Sequence, residues 1–213
     1  MVNRTLTDGK ACPSQSTSPK RAAIVSAAEA LFTRSGYGDV SMDAIAAKAG
    51  VSKRTVYSHF PSKDILFAAV MGSYCDQAVG LDTCQPDPEA EPREVLCNIG
   101  QRFLTLVTSP QAIALFRTVV AEAQRFPELG KTFFFAGPQR WAATMIPYLE
   151  AQHKKGRLRV PDAPAAASTL LYMLKDPLHM RCILGVQSKV TEDEIRAHVE
   201  QSVERFLDLY KKT

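Results

Sequence analysis

The 213-residue sequence predicts an all-α fold, and three observations support that prediction. Apolar residues recur at helical spacing, as in Ile24, Ala27, Ala28, Leu31 and Phe32, which would line one face of a helix. Helix-capping residues stand in front of successive apolar segments. No stretch shows the sustained two-residue alternation or the turn residues of a β-hairpin.

Capping residues place the first two helices. Ser18 and Pro19 suit the N-cap and the first helical position, because the missing N–H of proline would be unpaired there anyway. Gly36 suits the end of the first helix, where a left-handed residue is favoured. Ser41 is expected to cap a short second helix, with Asp43 in its first turn, where the helix dipole favours an acid.

A tight turn then leads into a third helix. Gly50 is expected to make the turn, and Ser52 is expected to cap the helix that follows. Val56 and Phe60 lie four residues apart and would bury one side of this helix. A fourth helix, capped by Ser62, is expected to run to about residue 80.

The remainder of the chain is also expected to be helical. Residues 81–92 contain three prolines and four acids and are expected to form a loop. Signals for further helix starts stand at Ser109, Pro127, Asp162 and Thr191. The Gly137-Pro138 step is expected to kink the long helix that begins at Pro127. Pro177 either kinks an otherwise apolar helix or ends it at Asp176.

Positive charge is concentrated in the first third of the chain. The formal net charge is +4, from 26 Lys and Arg against 22 Asp and Glu. Residues 1–64 contain nine basic and five acidic side chains, so the remaining 17 basic and 17 acidic side chains cancel. This asymmetry predicts either a polyanionic partner, such as nucleic acid, or a merely solvated basic surface.

The third helix carries side chains suited to DNA on the face that Val56 and Phe60 leave free. A helix-turn-helix buries one side of its second helix and presents the other side to the major groove. The residues expected on the outer side are Lys53, Arg54, Thr55, Tyr57, Ser58 and His59. Such groups neutralise phosphates, donate to phosphate oxygens or read base edges, and the helix N-termini at Ser41 and Ser52 add backbone N–H donors. The same pattern would also fit an ordinary pair of surface helices.

Three motifs within residues 19–67 carry a more specific signal. They are A-x-x-L-F-x-x-x-G-Y from Ala28 to Tyr37, SMDAIAAKAGVS from Ser41 to Ser52, and KRTVYSHFPSK from Lys53 to Lys63. Together they resemble the N-terminal domain of the TetR/AcrR family of bacterial transcriptional repressors. The resemblance implies DNA binding by this segment.

The resemblance also implies roles for individual residues. Three would contact phosphates: Tyr57, His59 and Lys63. Three would approach bases: Lys53, Arg54 and Thr55. Two would lie near the DNA backbone: Ser41 and Ser52. The family usually has a small residue where Arg54 stands, so the operator sequence does not carry over.

The C-terminal part is similar to the AefR-like subgroup of the same family. The similar segments are Pro127 to Leu129, the Gly137-Pro138 step, Gly156 to Leu158 and Arg181 to Gly185. The similarity implies a helical domain that binds a ligand and dimerises. The chain is therefore expected to divide into a flexible tail at 1–18, a three-helix helix-turn-helix DNA-binding domain at 19–66, and a helical effector-binding and dimerisation domain at 67–213.

Aromatic and other side chains of the C-terminal part predict a ligand cavity as a set, although plain core packing would explain each of them singly. The candidates are Phe103, Phe116, Phe134, Trp141, Met145, Tyr148, Tyr172, Met173 and His179. Three polar residues stand within an apolar segment: Lys175, His179 and Arg181. Either one of them anchors an anionic ligand, or each lies at a helix rim or at the dimer edge. We expect a small apolar or amphipathic effector that releases the operator.

A homodimer is expected because one recognition helix reads only a few base pairs. Two copies would present two such helices, spaced by about one DNA turn (~34–36 Å), to a palindromic double-stranded operator. The apolar faces of segments 165–184 and 195–210, in the last two helices, are the expected interface. The alternative is a DNA-binding regulator controlled by a protein partner or by cysteine oxidation.

Several function classes are not expected. The five cysteines stand singly without metal-ligand spacing, which predicts reduced thiols in a cytoplasmic protein with no metal or cofactor. No apolar run approaches the ~18 residues needed to cross a bilayer, and the N-terminus lacks the apolar core of a signal peptide. The four histidines form no H-x-x-x-H motif and accompany no nucleophile motif, so an enzyme is not expected.

Overall fold

The computed structural model describes residues 18–79 and 86–211, without the side chains of residues 75–79. Throughout these ranges the regular secondary structure is helical, which confirms the predicted all-α class. The N-terminal helices are α1 (Pro19–Ser35), α2 (Met42–Ala49), α3 (Lys53–His59) and α4 (Lys63–Val79). The C-terminal helices are α5 (Pro92–Val107), α6 (Pro110–Glu122), α7 (Pro127–Phe134), α8 (Arg140–Lys154), α9 (Ala163–Lys175), α10 (Leu178–Ile183) and α11 (Glu192–Leu209).

The predicted capping residues begin the N-terminal helices. The side chain of Ser18 accepts a hydrogen bond from the third residue of α1, and Ser41 and Ser52 do the same for α2 and α3. Gly50 ends α2 in the left-handed region, with φ 65° and ψ 32°, and turns the chain into α3. Gly36 also has a positive φ, but its ψ of 167° lies outside the left-handed helical region that the sequence predicted.

A first hydrophobic core joins α1 to α4 and also takes in parts of α6 and α7. Phe32, Phe60 and Phe67 are fully buried in it, together with Leu115 of α6 and Leu129 of α7. The expected domain boundary at residue 66 therefore falls inside both a continuous helix and a continuous core. α4 therefore connects the N-terminal helices to the rest of the chain without a break.

A second core lies among α5, α8, α9 and α11. The apolar face of α11 is buried in this core, through Ile195, Val199, Val203 and Phe206. This corrects the expected interface, because the apolar face of segment 195–210 already packs within its own chain. A partner copy would meet the opposite, more polar face of α11.

Two proline positions interrupt the C-terminal helices. The Gly137-Pro138 step lies in a π-helical segment, Phe135–Gln139, that separates α7 from α8, so the regular α-helix that begins at Pro127 is interrupted there. At Asp176-Pro177 the helix ends instead of kinking, with a cis peptide bond between the two residues and α10 starting at Leu178.

The expected tail, apart from Ser18, and residues 80–85 of the expected loop lie outside the described residues. Among the helices that are described, none alone has the length and apolar character to cross a bilayer. One pair, α5 with α6, passes that test only when taken together, and its two helices are bent by 65°.

Candidate nucleic-acid interface and ligand cavity

The third helix presents a polar face to solvent. Val56 and Phe60 are buried in the first core and fix the inner side of α3, as their spacing predicted. On the outer side, Lys53, Arg54, Tyr57 and Ser58 are exposed, and Thr55 and His59 are half-buried. Since α3 follows the tight turn after α2, this face has the geometry of a recognition helix.

Hydrogen bonds near the start of α3 hold its short polar side chains in place. Ser52 Oγ accepts from the Thr55 backbone N–H at 3.1 Å and lies 2.8 Å from Thr55 Oγ1. Ser58 Oγ donates to the Thr55 carbonyl at 2.8 Å. These short polar side chains are therefore held in defined positions on the surface.

The two cations of α3 differ in how they are held. Lys53 Nζ lies 2.9 Å from the Asp43 carboxylate of α2, and this hydrogen bond raises the pKa of Lys53. Both side chains are 61% exposed, so solvent screens this pair and it contributes little to stability. Arg54 forms no hydrogen bond or ion pair with any residue that the structure describes.

Lys63, at the start of α4, is engaged with the loop between α1 and α2. Its ammonium donates to the carbonyls of Tyr37 at 2.7 Å, Gly38 at 3.3 Å and Val40 at 2.9 Å. It also lies 4.4 Å from the centroid of the Tyr37 ring, and burial lowers its pKa. An ammonium has three N–H donors, so these carbonyls occupy all of them. The phosphate contact that the family resemblance implies for Lys63 stays a prediction.

A cavity of about 350 Å³ lies among α4 to α10 and the π-helical segment. Its wall is almost entirely apolar and rich in aromatic rings. The residues of the wall are Met71, Tyr74, Phe103, Leu106, Val107, Ala112, Leu115, Phe116, Gly130, Phe133, Phe134, Gly137, Pro138, Trp141, Leu171, Tyr172, Lys175 and His179. This size lies near the lower end of the ~300–1,000 Å³ typical of small-molecule sites.

Comparison with known proteins identifies both parts of the chain. Residues 24–70 match the family of bacterial regulatory proteins called the tetR family, and residues 94–212 match the C-terminal domain of AefR-like transcriptional repressors. The chain belongs to the TetR family. The resemblance found in the helix-turn-helix motifs is thereby confirmed, and so is the one to the AefR-like subgroup.

Individual relatives in the TetR family agree with this assignment. The transcriptional regulator EthR of Mycolicibacterium smegmatis is 25% identical over 181 residues, which cover 84% of this chain and 81% of EthR. A crystal structure from Mesorhizobium loti, assigned to the TetR family, has a TM-score of 0.76 and 29% identity, with 93% of this chain and 100% of that chain covered. The flavonoid-responsive regulator FrrA has a TM-score of 0.72 and 30% identity, with 92% and 98% covered.

TetR-family membership fixes the general function. The family and these relatives are transcriptional regulators and not enzymes, and the match at residues 24–70 contains α2 and α3. This TetR-family chain is accordingly a transcriptional regulator with a DNA-binding helix-turn-helix. The predicted class of function is confirmed at this level.

The structure brings six of the nine predicted cavity residues together. They are Phe103, Phe116, Phe134, Trp141, Tyr172 and His179. Met145 and Tyr148 are corrected to core positions, because both are buried among α5, α8 and α9 and neither reaches the cavity. Burial raises the pKa of Tyr148 to about 12. Met173 is corrected to a shallow groove between α9, α10 and α11, which it shares with Arg181.

Sequence reasoning missed the contribution of α4 to the cavity wall. Met71 and Tyr74 belong to that helix and lie against the cavity. Their spacing of three residues shows that they share a helix face, but nothing in the sequence shows that this face turns toward the C-terminal domain. Of the three polar candidates left open, Lys175 and His179 line the cavity and Arg181 does not.

The described thiols disfavour control by oxidation. Burial raises the pKa of both Cys97 and Cys182, which keeps them protonated and weakly nucleophilic. Cys12 and Cys84 lie outside the described residues, as does the side chain of Cys75.

Proposed function

We propose that this TetR-family regulator is a homodimeric repressor that binds a palindromic operator and is released by a small apolar or amphipathic ligand. The geometry of α4 is the observation that supports the proposal most directly. Its first residue, Lys63, contacts the loop that precedes α2, and two turns later Met71 and Tyr74 line the cavity. A ligand that displaces these two side chains therefore acts on the helix that carries the helix-turn-helix.

The proposed DNA contacts are made by the N-terminal ends of α2 and α3 and by the outer face of α3. They are Ser41, Ser52, Lys53, Arg54, Thr55, Tyr57 and His59. Arg54 and Lys53 supply the charge, and the hydroxyl and imidazole groups supply donors to phosphate oxygens. We assign Lys63 a supporting role instead, since its donors are used by the loop between α1 and α2.

The proposed dimer interface uses the outer faces of α9 and α11. On α9, Tyr172 is 55% exposed, and on α11 Leu209 is 63% exposed. A groove on α9, α10 and α11 contains the apolar side chains of Met173 and Ala197. Packing this face against a second copy would remove these apolar groups from water and hold two copies of α3 at a fixed spacing.

Ligand control follows from differential binding. A ligand that binds more tightly to one spacing of the two helix-turn-helix segments shifts the dimer toward that spacing. If the ligand binds the DNA-bound dimer less tightly by some factor, the ligand-bound dimer must bind the operator less tightly by the same factor. The name of FrrA states that it responds to flavonoids. The aromatic wall of this cavity suits planar aromatic molecules of the same general kind.

The proposal is tested by selecting DNA from a random pool with the full-length protein. We expect an inverted repeat as the recovered consensus and two chains bound per site. Lys189→Ala, an exposed change outside the proposed surface, serves as the control and should recover the same repeat. A single half-site bound by one chain would overturn the dimer, and recovery of no consensus would overturn sequence-specific binding.

A further inference from the structure

The apolar cavity has one charged end. Lys175, the last residue of α9, and His179 of α10 both lie in its wall. Lys175 Nζ is 3.7 Å from Asp176 Oδ2, which is too long for a hydrogen bond. No described residue accepts a hydrogen bond from this ammonium, whose side chain is only 24% exposed. The end of the cavity therefore offers three N–H donors and a positive charge that the Asp176 carboxylate partly offsets.

His179 adds a polar group without adding charge. The residue is 5% exposed, and its ring lies 5.1 Å from that of Phe116. Burial, with a smaller contribution from the neighbouring Lys175, lowers the pKa of His179 to about 4. The ring is therefore neutral at physiological pH, with one nitrogen as donor and the other as acceptor. Lys175 is the only cation among the described residues of the cavity wall.

Two buried nitrogens in the cavity wall lack hydrogen-bond partners among the described residues. They are Nδ1 of His179 and Nε1 of Trp141, and Trp141 is 2% exposed. Buried polar atoms are normally paired, and leaving one unpaired is costly. The Tyr74 hydroxyl in the same wall, by contrast, already donates to Glu29 at 2.6 Å. Oxygen atoms on a bound molecule would pair the two orphaned nitrogens.

The aromatic wall and the size of the cavity indicate which ring systems it can bind. Phe103 and Trp141 pack against each other with ring centroids 4.7 Å apart and planes tilted by 41°, and Phe116 and Phe133 pack edge-on with centroids 5.4 Å apart. Aromatic walls of this kind favour planar rings, which pack against them in offset or edge-on arrangements. A cavity of about 350 Å³ admits two or three rings and little more.

We infer that the effector is a planar aromatic acid of two or three rings, whose anionic oxygen, a carboxylate or an ionised phenol, binds Lys175 while its rings fill the aromatic wall. This inference rests on the proposed ligand control and names the chemical class of the ligand. Asp176 limits the charge excess at this end, so the site accommodates one anionic group and not several.

Intrinsic fluorescence provides the test, because Trp141 is the only tryptophan of the chain and lies in the cavity wall. The full-length protein is titrated with 2-naphthoate, its uncharged methyl ester and the cation 2-naphthylmethylammonium. A second arm compares 7-hydroxyflavone, titrated above the pKa of its phenol, with flavone. We expect the anion of at least one arm to bind at least tenfold more tightly than its neutral partner, and the arm that does so identifies the anionic group.

Variants of Lys175 separate charge from shape. Lys175→Met keeps the length of the side chain and should weaken binding of the preferred anion by roughly 10- to 100-fold, with binding of its neutral partner unchanged. Lys175→Arg should keep most of the anion affinity. Lys154→Met, at the exposed end of α8, is the matched control. Equal affinity of the Lys175→Met variant and the wild type for the anion would overturn the inference.

Release of the operator that the random-pool selection recovers is measured on the same samples. This measurement distinguishes failure of the inferred ligand class from failure of the proposed ligand control. If the ammonium or the neutral compounds bind and release the operator while the acids do not, the inference fails and ligand control stands. If compounds quench Trp141 but none changes operator affinity, ligand control through this cavity fails.

Discussion

Lys63→Met provides a direct test of how the helix-turn-helix is supported. The substitution removes an ammonium that donates to the carbonyls of Tyr37, Gly38 and Val40 and that lies over the Tyr37 ring. Methionine fills a similar volume, so the change isolates the polar interactions. The loop between α1 and α2 would lose its only described lysine contact.

The expected loss of stability follows from these contacts. Hydrogen bonds that involve a charged group contribute about 1.5–3 kcal/mol each when buried, but the site is half-buried and water can replace part of the loss. We therefore expect the free energy of unfolding to fall by about 2–4 kcal/mol. The exposed Lys48→Met on α2 should change it by less than about 0.5 kcal/mol.

Urea denaturation measures the stability, and operator binding at several salt concentrations measures the phosphate contacts. Each phosphate contact contributes about 0.9 to the slope of log K against log salt concentration. For Lys63→Met we expect reduced stability and an unchanged slope. A variant with wild-type stability and a slope reduced by about one per site would show instead that Lys63 contacts phosphate, and the supporting role would be refuted.

Three further changes give distinct expected outcomes. Arg54→Ala should alter the consensus recovered from random DNA, and a uniform loss of affinity for all sequences would make Arg54 a phosphate contact instead. Val203→Glu buries a charge in the protomer core and should unfold the chain, whereas Leu209→Glu should leave the protomer folded and yield monomers by light scattering. A folded, monomeric Val203→Glu protein would contradict the packing of α11. His179 has a pKa of about 4 in the fold against 6.5 in the unfolded chain, so the unfolded chain binds the proton first as pH falls. Stability should therefore drop between about pH 6.5 and pH 4, by up to about 3 kcal/mol, and His179→Leu should remove this part of the pH dependence in denaturation curves.

Local sequence signals were sufficient to predict where the N-terminal helices begin. The caps at Ser18, Ser41 and Ser52 are formed as predicted, because a capping serine bonds to a backbone N–H only three residues away. The outer face of α3 also follows from the sequence, since burying Val56 and Phe60 determines which residues remain outside.

Long-range packing accounts for what sequence could not predict. The periodicity of α11 correctly identified an apolar face, but not whether a second copy or the same chain covers it. Similarly, Met145 and Phe103 are equally apolar, and only the packing of α5 against α8 determines that Phe103 lines the cavity while Met145 lies in the core. The contacts of Lys63 span more than 20 residues and depend on how the loop before α2 folds back.

The central claim is that the cavity and the DNA-binding face are coupled through α4. Its most direct test is one titration in which a compound that quenches Trp141 is added to the protein bound to its fluorescently labelled operator. Quenching and operator release should follow the same concentration dependence, and Met71→Phe, which places a bulkier side chain in the cavity from α4 without adding a second tryptophan, should weaken both together. Saturation of the cavity with no change in operator affinity would contradict the coupling.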